Sequence, residues 1–192
     1  MRIRWTRLLP RHHRIVPFWI IAGLAIAVPW AMADQGWLGD LFRGFRTLTA
    51  PPGQTCRVNS IHDGDTLRAT CNGEQVQVRF HCIDAPEMAQ RPWGRESRDY
   101  LRRITPPTIT LRRLDTDRYG RIVGEVFAGA DTTAGEPLNL ALVRAGQAAV
   151  YPQHCRDGRY YAAEERAREA GRGIWARAGD QQRPWNYRHA RR

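Results

Sequence analysis

Apolar and polar positions alternate along residues 56–80, interrupted at Asp63-Gly64 and Asn72-Gly73. A period of two turns one side of a strand toward a core, and Asp-Gly and Asn-Gly are dipeptides that tight hairpins favour. With two-residue turns at both places, Ile61 faces Thr66, Val58 faces Ala69 and Cys56 faces Cys71. Across the second turn Ala69 faces Val76 and Leu67 faces Val78. Val58, Leu67, Ala69, Val76 and Val78 then share one face, which predicts a three-stranded meander. Two further strands are predicted over 108–114 and 121–128, the second with Ile122, Gly124 and Val126 in alternation. Helical spacing takes over in three places. Residues 94–103 are short and polar. Residues 138–145 are apolar apart from Asn139 and Arg144. Residues 159–170 put Tyr160, Ala163, Ala167 and Ala170 on one side, with Glu164 and Arg168 paired i,i+4 on an exposed one. Three strands, a helix, two strands and two helices suit a small five-stranded barrel closed by helices, or a mixed open sheet.

The first 33 residues follow a different pattern. A basic stretch, MRIRWTRLLPRHHR, precedes an apolar run from Ile15 to Ala33 that ends in Ala31-Met32-Ala33. Basic start, apolar centre and small-residue cleavage site are the marks of an export signal. The run is also long enough to be an uncleaved membrane anchor, about 20 residues being typical. In either reading the rest of the chain is expected outside the cytoplasm, periplasmic or secreted. Residues 34–54, with Gly, Pro and Thr, read as a linker. The domain is expected over 55–176, and 177–192 as a basic tail with Trp185 and Tyr187 as its large apolar residues; it either contacts substrate backbone or is solvated, as charge runs usually are.

Charge changes the picture less than its total suggests. The chain of 192 residues carries +11, all 30 basic residues being arginine. Five of those arginines lie in the leader, so the remainder carries 25 basic against 19 acidic residues, or +6. That excess favours an anionic partner such as nucleic acid. Cys56, Cys71, Cys82 and Cys155 all follow the leader, and an even count in an exported chain predicts disulfides. The hairpin at Asp63-Gly64 sets Cys56 opposite Cys71, within reach of a disulfide. No Cys-x-x-Cys suggests zinc.

Three segments concentrate unlike charges: His62-Asp63-Gly64-Asp65-Thr66, Arg79 to Glu87, and Asp115 to Arg121. Carboxylates at turns suit a hard cation, arginines fork onto phosphate oxygens, and a carboxylate accepts a proton from water. Together these are the parts that phosphodiester hydrolysis requires. Each alone has a plainer reading as a turn, a strand exit or a surface ion pair.

Taken in order, the segments resemble the thermonuclease, or staphylococcal-nuclease-like, family. The resemblance rests on Asp-Gly-Asp-Thr at 63–66, Arg79 with Ile-Asp-x-Pro-Glu at 83–87, and Asp-x-Tyr-Gly-Arg at 117–121. It continues through Leu-Val-Arg-x-Gly at 142–146, Tyr151 and the helix leading to Gly-Ile-Trp175. It implies an α+β fold, a five-stranded oligonucleotide-binding barrel capped by three helices. It further implies one Ca²⁺ held by Asp65, Asp84 and the backbone carbonyl of Ala85, with Arg79 and Arg121 as phosphate clamps. Glu87 matches the residue that activates water, and Arg118, Tyr119 and Tyr151 match positions that hold the nucleotide. The expected activity is hydrolysis of DNA and RNA to 3′-phosphate ends by a monomer. The alternative is an inactive barrel of the same fold that binds single strands or a protein partner. The four cysteines and the short segment 88–97 depart from the family's reference enzyme. If Asp84 and Tyr151 line one cleft, as the resemblance implies, a Cys82–Cys155 bond would tether its walls; two free thiols are the other reading.

Overall fold

The computed structural model describes residues 53–130 and 135–191. The expected leader, and the linker up to residue 52, lie outside the described residues. Five strands close into a barrel in the order β1 (Gln54–Ile61), β2 (Thr66–Cys71), β3 (Glu74–Phe80), β6 (Ile122–Ala128) and β5 (Thr108–Thr116). Neighbours pair antiparallel except β3 with β6, which run parallel, and β1 pairs with β5 to complete the ring. Closure removes the open-sheet alternative and leaves the oligonucleotide-binding architecture. Leu67, Ala69, Val78, Ile109, Leu111 and Val126 fill the interior, each at most 1% exposed.

The second hairpin follows the predicted register, with Ala69 opposite Val76 and Leu67 opposite Val78. The first does so only in part. Cys56 pairs with Cys71 and Val58 with Ala69, but the register then slips, so that Ile61 faces Leu67 rather than Thr66. The slip is a bulge at Asn59, whose amide donates to the Thr70 hydroxyl at 2.9 Å. Residues 62–65 therefore form a wider loop instead of a two-residue turn, and the loop carries Asp63 and Asp65.

Helix α1 (Trp93–Ile104) links β3 to β5, α2 (Leu138–Arg144) follows β6, and α3 (Gly158–Glu169) packs on α2. Asp157 caps α3 by accepting from the Arg159 backbone N–H at 2.9 Å. Tyr160, Ala163 and Ala167 are its buried face, as predicted, whereas Ala170, expected on the same side, is exposed because it caps the end of the helix. Glu164 is not simply solvated: its carboxylate accepts the Val150 N–H at 2.8 Å as well as meeting Arg168.

Two features escaped the pattern. A two-stranded sheet joins β4 (Ile83–Asp84) to β7 (Ala149–Val150), both too short to show alternation. The expected solvated tail instead folds back, through a short helix α4 (Pro184–His189) in which Pro184 is buried. Trp185 and Tyr187 give this segment the apolar surface that a solvated charge run lacks. Disulfides join Cys56 to Cys71 and Cys82 to Cys155.

Candidate active site

The ends of three strands meet at one mouth of the barrel. Thr66, the first residue of β2, pairs with Arg79 near the end of β3, and Arg79 pairs on its other side with Val123 of β6. Asp65 immediately precedes β2 and Arg121 immediately precedes β6, so the topology brings all three side chains to the same rim. Phe80 N–H donates to the Asp65 carbonyl at 2.9 Å, which locks the loop to the strand end.

The segment after Arg79 is held from three directions. Asn139, fully buried on α2, donates to the His81 carbonyl at 3.0 Å. Cys82 is tied to Cys155, and Ile83–Asp84 is paired with β7. Tyr151 N–H donates to the Cys82 carbonyl at 2.9 Å, extending that short sheet. Two close approaches finish the packing. A Cβ on Gly64 would overlap Ser97 Oγ and stand 2.8 Å from Ala85 Cβ, and one on Gly94 would overlap the Glu87 carbonyl. Glycine at these positions lets α1 lie directly against both acidic loops.

The result is a cleft of about 1080 Å³ whose lining includes Asp65, Arg79, Glu87, Arg121, Tyr119 and Tyr151. Arg79 bridges the two carboxylates expected to act together. One of its nitrogens pairs with Asp65, and Nη2 donates to Asp84 Oδ1 at 2.6 Å. Asp65 Oδ2 also accepts the Ala85 N–H at 2.7 Å. Asp84 is completely buried behind the cleft wall, and Asp65 is 6% exposed. Burial lowers the Arg79 pKa from its ordinary value, against the raising effect of Asp84. Burial likewise raises Asp63, although Arg79 opposes it.

Arg121 approaches from the other side, held by Asp117. The Asp117 carboxylate accepts Arg121 Nε at 2.7 Å and the backbone N–H groups of Tyr119 and Arg121 at 2.9 and 3.0 Å. These bonds outweigh desolvation and lower the Asp117 carboxyl. Tyr119 is 67% exposed, with the Arg118 guanidinium 4.8 Å from its ring centre. The sequence motif contained Asp117, but its task of orienting Arg121 became visible only in the fold.

Two residues of the site come from the tail, where the sequence marked only a basic run with Trp185 and Tyr187 as its large apolar residues. Arg188 of α4 reaches into the acidic cluster, donating to both oxygens of Asp84 at 3.1 and 2.8 Å and to Glu87 Oε1 at 2.8 Å. Those carboxylates raise its pKa despite the opposing effect of burial. Trp185, one helical turn earlier, stacks on Tyr151 with ring centres 5.4 Å apart and planes 14° from parallel. Every residue expected to bind metal, phosphate, water or nucleotide, except Asp84, therefore lines one cleft, Asp84 lies just beneath it, and the tail supplies a further arginine and a further aromatic ring.

The donors suit a hard cation. Asp65 and Asp84 converge on one guanidinium, and Ala85 follows Asp84 directly at the end of β4. Among the described residues no three His, Cys, Asp or Glu side chains gather to hold a metal. Two carboxylates completed by backbone carbonyl and water are a donor set that calcium accepts.

Comparison with known proteins agrees with this geometry. The family described as staphylococcal nuclease homologue matches residues 77–177. An Escherichia coli protein named "Uncharacterized endonuclease" is 38% identical over 134 residues, 69% of this chain and 84% of that protein. A Shigella flexneri protein named "Micrococcal nuclease" is 32% identical over 137 residues, covering 68% and 78% of the two chains. A Haemophilus influenzae protein, also named "Uncharacterized endonuclease", is 36% identical over 64% of this chain and 66% of its own.

Proposed function

The chain belongs to the staphylococcal nuclease homologue family and is a nuclease-type phosphodiester hydrolase; from that premise we propose that it cleaves both DNA and RNA in a calcium-dependent reaction that leaves 3′-phosphate ends. The observation that carries this reading is the cluster of Asp65, Arg79 and Glu87 lining one cleft, with Asp84 just beneath its wall and Arg121 on the same lining.

Asp65 and Asp84, with the Ala85 carbonyl, would hold Ca²⁺, which when bound offsets negative charge on the phosphate oxygens. Arg79 and Arg121 grip those oxygens, and their planar forks suit the charge that builds on phosphorus during attack. Glu87 accepts the proton as water oxygen bonds to phosphorus. The bond from phosphorus to the 5′ oxygen breaks, and that oxygen takes up a proton to leave as a hydroxyl. Arg118, Tyr119 and Tyr151 hold the nucleotide through charge and ring stacking.

The test is digestion of supercoiled plasmid and of single-stranded RNA with Ca²⁺, with Mg²⁺ and with a calcium-selective chelator, followed by analysis of the new ends. Cleavage of both polymers with Ca²⁺, little with Mg²⁺ and none in chelator is expected. Full activity in chelator would remove the metal assignment. Tight binding of both polymers without cleavage would favour the inactive-barrel alternative. We also infer export through residues 1–33. Mass measurement of the mature chain should find Asp34 first, whereas a full-length membrane-bound chain would favour the anchor.

A further inference from the structure

The tail segment beyond the family match occupies the two places in the cleft that calcium and a nucleobase are proposed to take. Arg188 puts a cationic fork on Asp84 and Glu87, and Trp185 lays a flat ring on Tyr151. Asp84 has no exposed surface, because Arg79 and Arg188 cover its oxygens. A cation can reach Asp84 only after Arg188 leaves. The charges favour the exchange. Asp65, Asp84 and Glu87 exceed Arg79 and Arg188 by one negative charge, and a divalent ion in place of Arg188 balances them.

The segment is lightly fastened elsewhere. Helix α4 has six residues and no side-chain cap, and so short a helix is marginal without tertiary support. Among the described residues, the side-chain hydrogen bonds from α4 to the barrel are the three made by Arg188. Upstream, buried Gln181 donates to the Ile174 carbonyl at 3.3 Å and to the Arg177 carbonyl, and Gln182 donates to the Arg177 carbonyl at 3.2 Å.

We propose that α4 is an autoinhibitory latch, with Arg188 standing in for the cation and Trp185 for a base, and that calcium releases it. The proposal rests on the calcium-dependent reading above. Phosphate clamping by Arg188 in the active state makes a different prediction, since a clamp stays in the cleft and α4 keeps its protection when calcium binds.

Calorimetric titration of Ca²⁺ into the full chain, without nucleic acid, compares the wild type with Arg188→Ala. Hydrogen exchange of the amides of residues 185–190 is followed in the wild type with and without Ca²⁺. The variant should bind calcium about tenfold more tightly, the change expected from removing one charge-assisted competitor, and calcium should speed exchange in α4. Trp185→Ala, which loosens the same helix from its other contact, should shift affinity in the same direction and serves if Arg188→Ala does not fold. Equal or weaker calcium binding in the variants overturns the latch. Tighter binding with α4 still protected also overturns it, because Arg188 would then only repel the ion. Calcium bound by neither wild type nor variant overturns the metal reading and the latch with it.

Discussion

The Asn139 side chain on α2 donates to the His81 carbonyl across 58 positions of sequence, at 3.0 Å, and to the Gly124 carbonyl at the same distance. Its oxygen accepts the Val126 N–H, again at 3.0 Å. One buried amide therefore joins α2, β6 and the start of the acidic segment. Replacing Asn139 by Leu strands the Val126 N–H and the His81 carbonyl, the Gly124 carbonyl still accepting the His81 N–H, and each stranded group costs about 1–3 kcal/mol when buried unpaired. A loss of about 3 kcal/mol or more is expected from the urea midpoint, with reduced activity because the segment carrying Asp84 and Glu87 loses its anchor. A loss below about 0.5 kcal/mol, the size typical of surface substitutions, would show that the amide is dispensable.

The two clamping arginines should respond differently to truncation. Arg121 is paired with Asp117 at the rim, so Arg121→Ala should lower kcat by about 10²–10³ with the fold intact. Arg121→Lys should not restore the rate, since an ammonium cannot reproduce the fork. Arg79 also neutralises two buried carboxylates. Arg79→Ala should therefore add a stability loss of about 3–5 kcal/mol, the range for breaking a buried pair. Kinetics and denaturation of the two alanine variants separate the roles. Equal stability of both would contradict the bridging role of Arg79.

The second hairpin was legible because Asn72-Gly73 makes a two-residue turn and the alternation runs unbroken through it. Asn59 hid the register of the first hairpin, since a bulged residue has no compositional mark. The cysteine pairing survived because the bulge lies between the loop and the cysteines and offsets the loop's one-residue shift, so that Val58 and Cys56 return to the register of a two-residue turn. The carboxylates and arginines of the cleft were legible through ordered motifs, each at a strand end. Arg188 was not, because it lies 104 and 101 positions from its partners in a stretch whose charge looks like solvation. Its site depends on how Trp185 and Pro184 turn the chain, which no local periodicity encodes.

Asp157 provides a pH-dependent contribution away from the cleft. Hydrogen bonds from the Arg159 side chain, against a smaller desolvation effect, hold its carboxyl below the ordinary value. A carboxyl lowered in the folded state stabilises fully above its unfolded value of about 4 and loses that contribution as pH falls through its folded value. Asp157→Ala should cost about 1 kcal/mol at pH 7, as loss of an N-cap does. The gap between the two chains should narrow as pH drops below about 4. Thermal unfolding at pH 7 and pH 3 measures it, and a constant gap would mean that ionisation of the cap plays no part.

The two disulfides should be separable by what they protect. Cys56–Cys71 closes 15 residues beside the Asn72-Gly73 turn, at the end of β2 away from Thr66 and Arg79. Cys82–Cys155 closes 73 residues and sits two positions from Asp84 and four from Tyr151. Chain entropy assigns about 3 kcal/mol to the first loop and about 4.5 kcal/mol to the second. Changing Cys56 and Cys71 together to Ser should thus lower stability and leave kcat near wild type. Changing Cys82 and Cys155 together should lower stability more, and should also reduce kcat at a temperature where the chain is still folded. The reason is geometric: β4 and β7 are two residues each, too short to hold Asp84 and Tyr151 in place without the covalent tether. Equal kcat values for the two folded double variants would mean that the short sheet positions these residues unaided.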